Sequence, residues 1–452
     1  MNDKKSQFTR WGFIFATVGS AVGLGNIWKF PYITGEYGGG AFVLVYLFTT
    51  LFVGFAILIA EMFLGYFGKS DAVTTFENIG NGLKNRKPSM KYVGFMTFNG
   101  LIIMTFYSVV IGWILYYIYS SINGLPKTVD EAELEFKTLV GENILTQLFF
   151  HTFATLTVLH FVNGGIKNGI EKLNNFLIPT LIFIMLSLLI YSMTLDSFAE
   201  SFKFMFYPDW SKLTSEAFIR AVGHSFFTLS LGMGAIITYS ASIPNGTNIT
   251  KSAFSVLFFD TLIALMAGLI IFTLLFQFGE EPSKGAGLVF ISMPVIFSQM
   301  GDIGSLVSIL FLSALAMAGL TSAVSLVEPA VIYMINRFKI TRFKATIYMG
   351  TIYWFIGIFA ILSYSTTYGE IFSIFGTPLF DALELLTDSI LLPISGILIA
   401  LTVGYVMRKV DLVKLQNEMG DKIFKIWYFS IRVVSPIAII FLILNILGVI
   451  QL

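Results

Sequence analysis

The sequence predicts an all-α polytopic membrane protein whose 11 transmembrane helices form a 5+5 inverted repeat, with helices 1 and 6 discontinuous. Three observations lead there. First, 56% of the 452 residues are hydrophobic and 12% charged, with a mean hydropathy of +0.81, whereas soluble domains carry roughly 25% charged residues. Second, long uncharged windows recur along the whole chain. Third, two glycine-rich interruptions fall five windows apart.

The windows are 11–28, 37–60, 92–126, 143–166, 173–195, 221–250, 252–279, 303–327, 345–369, 389–407 and 433–452, and Asp260 is the one charge inside them. Each approaches or exceeds the roughly 20 residues a helix needs to cross about 30 Å of hydrocarbon. Residues 1–10 read as a short basic tail followed by one transmembrane domain, 11–452, with repeat one at about 11–195, repeat two at about 216–407 and helix 11 at about 426–452. No small-residue cleavage site follows the first apolar run, so that helix is expected to be retained. The connections at 127–142 and at Tyr207-Pro208-Asp209-Trp210 read as surface loops. Residues 284–299 are apolar but divided by glycines and Pro294, which suits a short re-entrant hairpin over an outer vestibule.

Orientation follows from basic residues. With the amino terminus inside, cytoplasmic segments hold 20 of the 28 lysines and arginines, from Lys4, Lys5 and Arg10 to Arg408, Lys409, Lys414, Lys422 and Lys425. The positive-inside rule therefore predicts a multi-pass protein of the cell membrane with a cytoplasmic amino terminus and an extracellular carboxyl terminus. A net charge of +1 gives no nucleic-acid footprint, and the absence of cysteine excludes disulfides and thiolate metal sites.

The first interruption is Gly19-Ser20-Ala21-Val22-Gly23-Leu24-Gly25-Asn26. In hydrocarbon each unpaired backbone group costs several kcal/mol, so loosened backbone at membrane depth is tolerated where it faces a cavity or ligand. A notch that lets helices pack closely is the competing reading. The second interruption, Phe227-Thr228-Leu229-Ser230-Leu231-Gly232-Met233-Gly234, lies five spans later. An odd offset reverses direction across the membrane, so two matched breaks imply inverted repeats with a site between them at the midplane. Half-helix ends offer N–H groups to a carboxylate and carbonyls to an ammonium or a sodium ion, and an amino acid zwitterion needs both. Asn26, Thr228 and Ser230 add neutral oxygens, and Ala318, Thr321, Ser322 and Ser325 share a face of the eighth span. Such hard donors without a carboxylate cage favour a monovalent cation. For Thr321 and Ser322, hydroxyl back-bonding within the helix is the alternative.

These residues carry a resemblance. Gly-Ser-Ala-Val-Gly-Leu-Gly-Asn-Ile-Trp-Lys-Phe-Pro at 19–31, Glu-Tyr-Gly-Gly-Gly-Ala-Phe at 36–42, Tyr-Pro-Asp-Trp at 207–210, Phe-Phe-Thr-Leu-Ser-Leu-Gly-Met-Gly at 226–234 and Ala-Gly-Leu-Thr-Ser at 318–322 resemble the neurotransmitter:sodium symporters, from about Phe8 to the end. The resemblance implies a LeuT-like fold and a bacterial-type, eleven-helix amino acid transporter rather than an enzyme. It implies two Na+ sites: one from Ala21, Asn26, Thr228, Asp260 and the substrate carboxylate, the other from Gly19, Val22, Ala318, Thr321 and Ser322. The substrate carboxylate would meet Leu24, Gly25 and Tyr107, and its amine the carbonyls of Phe227 and Ser230. Its side chain would lie among Ile103, Tyr107, Phe227, Met233, Ser322 and Leu326, with Ala21 and Thr228 adjoining. Glu61 matches the acid that ties down the unwound sixth span. The implied partners are the amino acid and the lipid bilayer, and a homodimer is left open.

Three positions depart from the family pattern. Asp260 stands where an amide is usual, and Ala264, four residues on, where chloride-independent members often keep an acid. Asp260 is therefore expected to ligate sodium and balance its charge so that chloride is not required, with proton coupling as the rival. The outer gate would pair Lys29 with Glu384 in place of arginine and aspartate, losing the planar bidentate fork. The usual inner-gate acid is Asn336, so closure there by an ion pair with Lys4 or Lys5 is not expected. No further charge is available to read a charged side chain, so the expected function is sodium-coupled import of neutral hydrophobic or aromatic L-amino acids by alternating access. A sodium- or proton-coupled carrier for another small amine or amino acid is the alternative. A channel would need repeated subunits around a pore. His151, His160 and His224 have no adjacent acid in sequence, which argues against catalysis.

Overall fold

The computed structural model describes residues 7–83, 85–280, 285, 287–446 and 448–450; Lys4, Lys5 and Lys84, counted among the cytoplasmic basic residues, and Lys284, where the expected re-entrant segment begins, lie outside them. Among the described residues, nine helices are long and apolar enough to cross a membrane: Gly40–Gly68, Pro88–Asn123, Ile144–Asn163, Ile166–Ser192, Ile249–Phe278, Gly301–Phe338, Arg342–Leu362, Leu379–Val406 and Lys409–Ile446, the last kinked at Gly420, which is non-helical (φ 73°, ψ 160°). Arg10–Ala21 and Gly25–Glu36, bent by 47°, make a tenth if the pair is one span. The remaining expected span is divided into Ser215–Thr228 and Ala235–Ala241, neither long enough to cross alone. The helices themselves thus support nine or ten crossings rather than a plain count of eleven. In chain order the bent pair is the first span, the divided segment the sixth, and Lys409–Ile446 the last.

The connection expected as a loop at 127–142 is instead largely the helix Val129–Gly141. Thr128 caps it by accepting from the Glu131 N–H, Asp130 and Glu131 sit in the first turn where negative charge is favourable, and Ala132 and Leu139 are buried. Its Phe136 stacks on Phe290, 5.5 Å between ring centroids. Around Tyr207–Trp210 the chain turns into a short 3-10 segment, Trp210–Lys212, after the helix Phe198–Phe206. In the apolar segment after the seventh span, Leu288–Gln299 is a helix of 12 residues, too short to cross, and Leu288, Val289, Phe290 and Met293 are buried within the bundle. Trp28 Nε1 donates to the Gly285 carbonyl at 2.8 Å, so the chain just before this helix is tied to the second half of the first span.

Candidate functional site

The two helix breaks meet in the middle of the bundle. The first helix stops at Ala21 because Val22 turns extended (φ −69°, ψ 109°), and the span restarts in a π-helical turn at Gly25–Lys29. Side chains take up the loosened backbone: Gly23 N–H donates to Asn26 Oδ1 at 2.9 Å and Leu24 N–H to the Tyr107 hydroxyl at 3.3 Å. In the sixth span, Leu229–Gly234 is unwound, and Ser230 adopts a positive φ of 52° that a non-glycine residue holds only when its surroundings enforce it. Here the Ser230 hydroxyl donates to the Ser20 carbonyl at 2.6 Å, which ties one break to the other. Both backbone polar groups of Gly232 are satisfied: its N–H donates to Glu61 Oε1 at 2.6 Å and its carbonyl accepts from Asn99 Nδ2 at 2.8 Å. With φ at 75° and the Leu392 carbonyl 2.9 Å from where a Cβ would stand, position 232 requires glycine.

Ala21, Leu24, Gly25, Ile103, Tyr107, Phe227, Thr228, Ser230, Met233, Ser322 and Leu326 line one small cavity, together with Gly23, which the sequence reading did not single out. Its volume is about 10 Å³, room for about one water. Above it a larger cavity of about 370 Å³ shares Leu24, Tyr107 and Phe227 as its floor and has walls of Trp28, Trp113, Phe136, Tyr364 and Phe380. The small chamber is therefore closed under an aromatic vestibule.

Beside the chamber lies a buried polar cluster. Asn26 Nδ2 donates to Thr228 Oγ1 (2.9 Å), to the Asp260 carbonyl (3.0 Å) and to Asp260 Oδ1 (2.7 Å), and the Thr228 hydroxyl donates to the same Oδ1 at 2.9 Å. Asp260 is fully buried, and its Oδ2 has no hydrogen-bond partner among the described residues. An unpartnered carboxylate oxygen is costly at this depth, and a cation or a proton would each offset that cost. Of the second expected ion set, Thr321 back-bonds to Met317 and Ala318 at 3.0 and 3.1 Å, which leaves its lone pairs outward. No hydrogen bond joins Gly19 or Val22 to Ala318, Thr321 or Ser322 among the described residues, but Ser20 Oγ donates to Ser325 Oγ at 2.8 Å and holds the eighth span against the first break. Among the described residues no group of three or more His, Cys, Asp or Glu could hold a metal ion.

At the vestibule floor, Lys29 pairs with Glu384 at 3.4 Å and, more closely, with Asp388, one helical turn on. Asp388 was not expected; the signal for it was the i, i+4 spacing of two acids at the start of one span. Lys29 Nζ also lies 4.6 Å from the centre of the Phe227 ring, so gate and chamber roof are in contact. Glu384 is 43% exposed and Asp388 17%. Hence Glu384→Gln should leave uptake within about fivefold of wild type, as for a rim ion pair, whereas Asp388→Asn should lower it by tenfold or more because a desolvated charge loses its partner. Initial rates of uptake for the two variants decide this; equal effects would mean that the pair acts as a rim bridge only.

Other expected roles are placed as follows. Asn336 Nδ2 donates to Asp71 Oδ2 at 2.8 Å, so the carboxyl-terminal end of the eighth span presents a neutral amide to this carboxylate. His151 bonds the Trp354 carbonyl across helices at 3.2 Å, while His224, packed against Phe30 and Tyr46, has neither ring nitrogen bonded among the described residues.

Comparison with known proteins adds three findings. The family model described as the sodium:neurotransmitter symporter family matches residues 5–138 and 140–451. An uncharacterized sodium-dependent transporter of Bacillus subtilis is 33% identical over 450 residues, 97% of each chain, and one of Haemophilus influenzae is 30% identical over 451 residues, 97% of this chain and 98% of that one. The crystal structure of MhsT in complex with L-phenylalanine superposes with a TM-score of 0.87 at 38% identity, covering 98% of this chain and 99% of that one.

Proposed function

The chain belongs to the sodium:neurotransmitter symporter family, a multi-pass, sodium-dependent transporter of LeuT-like fold and not an enzyme, and we propose that it imports neutral hydrophobic or aromatic L-amino acids together with sodium. The observation that carries this is the chamber wall. Ile103, Phe227, Met233 and Leu326 supply apolar surface, the Tyr107 hydroxyl and the Leu24 and Gly25 backbone stand at one side, and no charged side chain lines it. Asp260, the charge nearest in kind, already holds Asn26 and Thr228 through Oδ1 and lies outside the lining. A zwitterion headgroup can be met by helix ends, whereas a charged substrate side chain would be desolvated without a partner.

Import then runs by alternating access. Sodium enters beside Asp260, where Asn26 must yield acceptors to it, and the substrate carboxylate completes the ion's shell. A second sodium joins the first and eighth spans through Gly19, Val22, Ala318, Thr321 and Ser322. Phe227 and Met233 swing to admit the side chain, since a methionine has three rotatable bonds and adapts to aliphatic and aromatic groups alike. Lys29 closes above through Asp388 and Glu384. In this reading chloride is not required, the amino terminus is cytoplasmic and the carboxyl terminus extracellular. The relative solved with L-phenylalanine supports an aromatic substrate.

The test is uptake into proteoliposomes under an imposed sodium gradient, with each of the twenty amino acids as competitor. Leucine, phenylalanine, tyrosine or tryptophan should compete at least tenfold better than glutamate or lysine. Preference for an acidic or basic amino acid, or uptake indifferent to sodium, would overturn the assignment.

A further inference from the structure

At the end of the bundle opposite the vestibule, the tenth and last spans enclose a second groove of about 430 Å³. Glu384 and Tyr405 mark the opposite ends of the tenth span, Leu379–Val406. The guanidinium of Arg432 lies over two rings, 4.4 Å from the centre of Tyr405 and 5.2 Å from that of Tyr428. Both rings are pinned: the Tyr405 hydroxyl donates to the Arg432 carbonyl at 2.8 Å and the Tyr428 hydroxyl to the Gly404 carbonyl at 3.1 Å. A Cβ at Gly404 would stand 2.9 Å from Arg432 Cγ, so the glycine makes room for the arginine stem. Lys409 and Lys425 line the same groove. Its one acid, Asp421, accepts from Gln416 Nε2 at 2.8 Å and makes no ion pair with the three cations among the described residues.

Arg432 immediately precedes the uncharged stretch 433–452, which places it near the edge of the hydrocarbon that this stretch is apolar enough to enter. Ile426, Phe429 and Ile437 beside it are exposed on the outer face of the last span, where acyl chains lie. A cation at this depth without a counter-ion is costly, and two aromatic faces offset only part of that. Phosphate oxygens match the guanidinium fork, and two lysines at the rim add charge at headgroup level. We propose that this groove binds the phosphodiester headgroup of an anionic phospholipid in the leaflet that the lysine and arginine bias assigns to the cytoplasm. Arg432 takes the phosphate, Lys409 and Lys425 select net negative charge, and the acyl chains run along Phe429 and Ile437. The bound lipid then bridges the end of the tenth span to the last.

Delipidated full-length transporter in detergent tests this by its thermal unfolding midpoint, titrated with phosphatidylglycerol, phosphatidylcholine or inorganic phosphate. Phosphatidylglycerol should raise the midpoint and the other two should not. The concentration giving half the shift should rise about fivefold for each lysine removed, so about 25-fold in Lys409→Gln/Lys425→Gln, and Arg432→Gln should abolish the shift. Because both lysines are exposed, the double variant keeps the test open even if the arginine variant does not fold. Equal shifts from the two lipids, or an unchanged half-point in the lysine variant, overturn the proposal. A shift given as fully by inorganic phosphate overturns the lipid as its source.

Discussion

Asp260→Asn is expected to raise the sodium concentration for half-maximal uptake about a hundredfold in chloride-free medium, and to make the remaining uptake respond to added chloride. The carboxylate is fully buried, with Oδ1 held by Asn26 and Thr228 and Oδ2 unpartnered among the described residues. Asparagine keeps the shape and one acceptor oxygen but removes the charge. Removing one member of a buried charge pair costs about 2–5 kcal/mol, and a hundredfold corresponds to roughly 2.7 kcal/mol. One turn on, Ala264 is buried and uncharged, so no protein group there replaces the lost negative charge. A small anion from solution is the remaining way to balance sodium in a low-dielectric site. Should Asp260 serve proton coupling instead, the variant would keep its sodium affinity and lose the pH dependence of uptake. Normal chloride-free uptake with an unchanged pH profile removes both roles.

The breaks that form the site were legible because their signal is local. Glycines inside an apolar window have few other uses at membrane depth, and the motifs around them are contiguous. The lining of the chamber, including Ile103 and Tyr107 on the third span, was what the family resemblance implied rather than what the two breaks alone give. What failed was of two kinds. At 127–142 the acidic composition suggested a solvated loop, although Thr128 and Glu131 stand at capping distance and Ala132, Phe136 and Leu139 share the spacing of a buried stripe. The second kind was long-range. Asp388 stood one turn from the acid that the family pattern supplies, and nothing in the sequence says which of two acids on one helix a lysine 359 residues away will choose. The Asn336–Asp71 bond spans 265 residues and was equally hidden.

The most consequential of these hidden contacts yields the second large effect: Arg342→Ala is expected to destabilise the folded transporter by about 3–5 kcal/mol. Glu328 is fully buried in the eighth span, beside Pro329, and Arg342 at the start of the ninth meets both its oxygens, at 2.8 and 2.6 Å. The same guanidinium donates to the Val162 carbonyl at 2.7 Å, so three spans are held at one point. Alanine would leave the carboxylate charged, buried and unpaired. Glu328→Gln should be milder, because the Arg342 side chain is 24% exposed and can reach water. Replacing both, as Glu328→Leu/Arg342→Met, should return most of the stability, since a buried ion pair draws little net benefit over packed apolar groups. Thermal unfolding in detergent of this double variant and of its single-substitution parents, Glu328→Leu and Arg342→Met, measures the coupling. Ala318, Thr321 and Ser322 ride on the same helix as Glu328, so Arg342→Ala should also weaken sodium-driven uptake, and the double variant should recover it in step with stability. Additive losses in the double variant would mean that the pair does not act as a unit. Stability recovered without uptake would mean that the charges, and not merely the position of the eighth span, take part in the transport cycle.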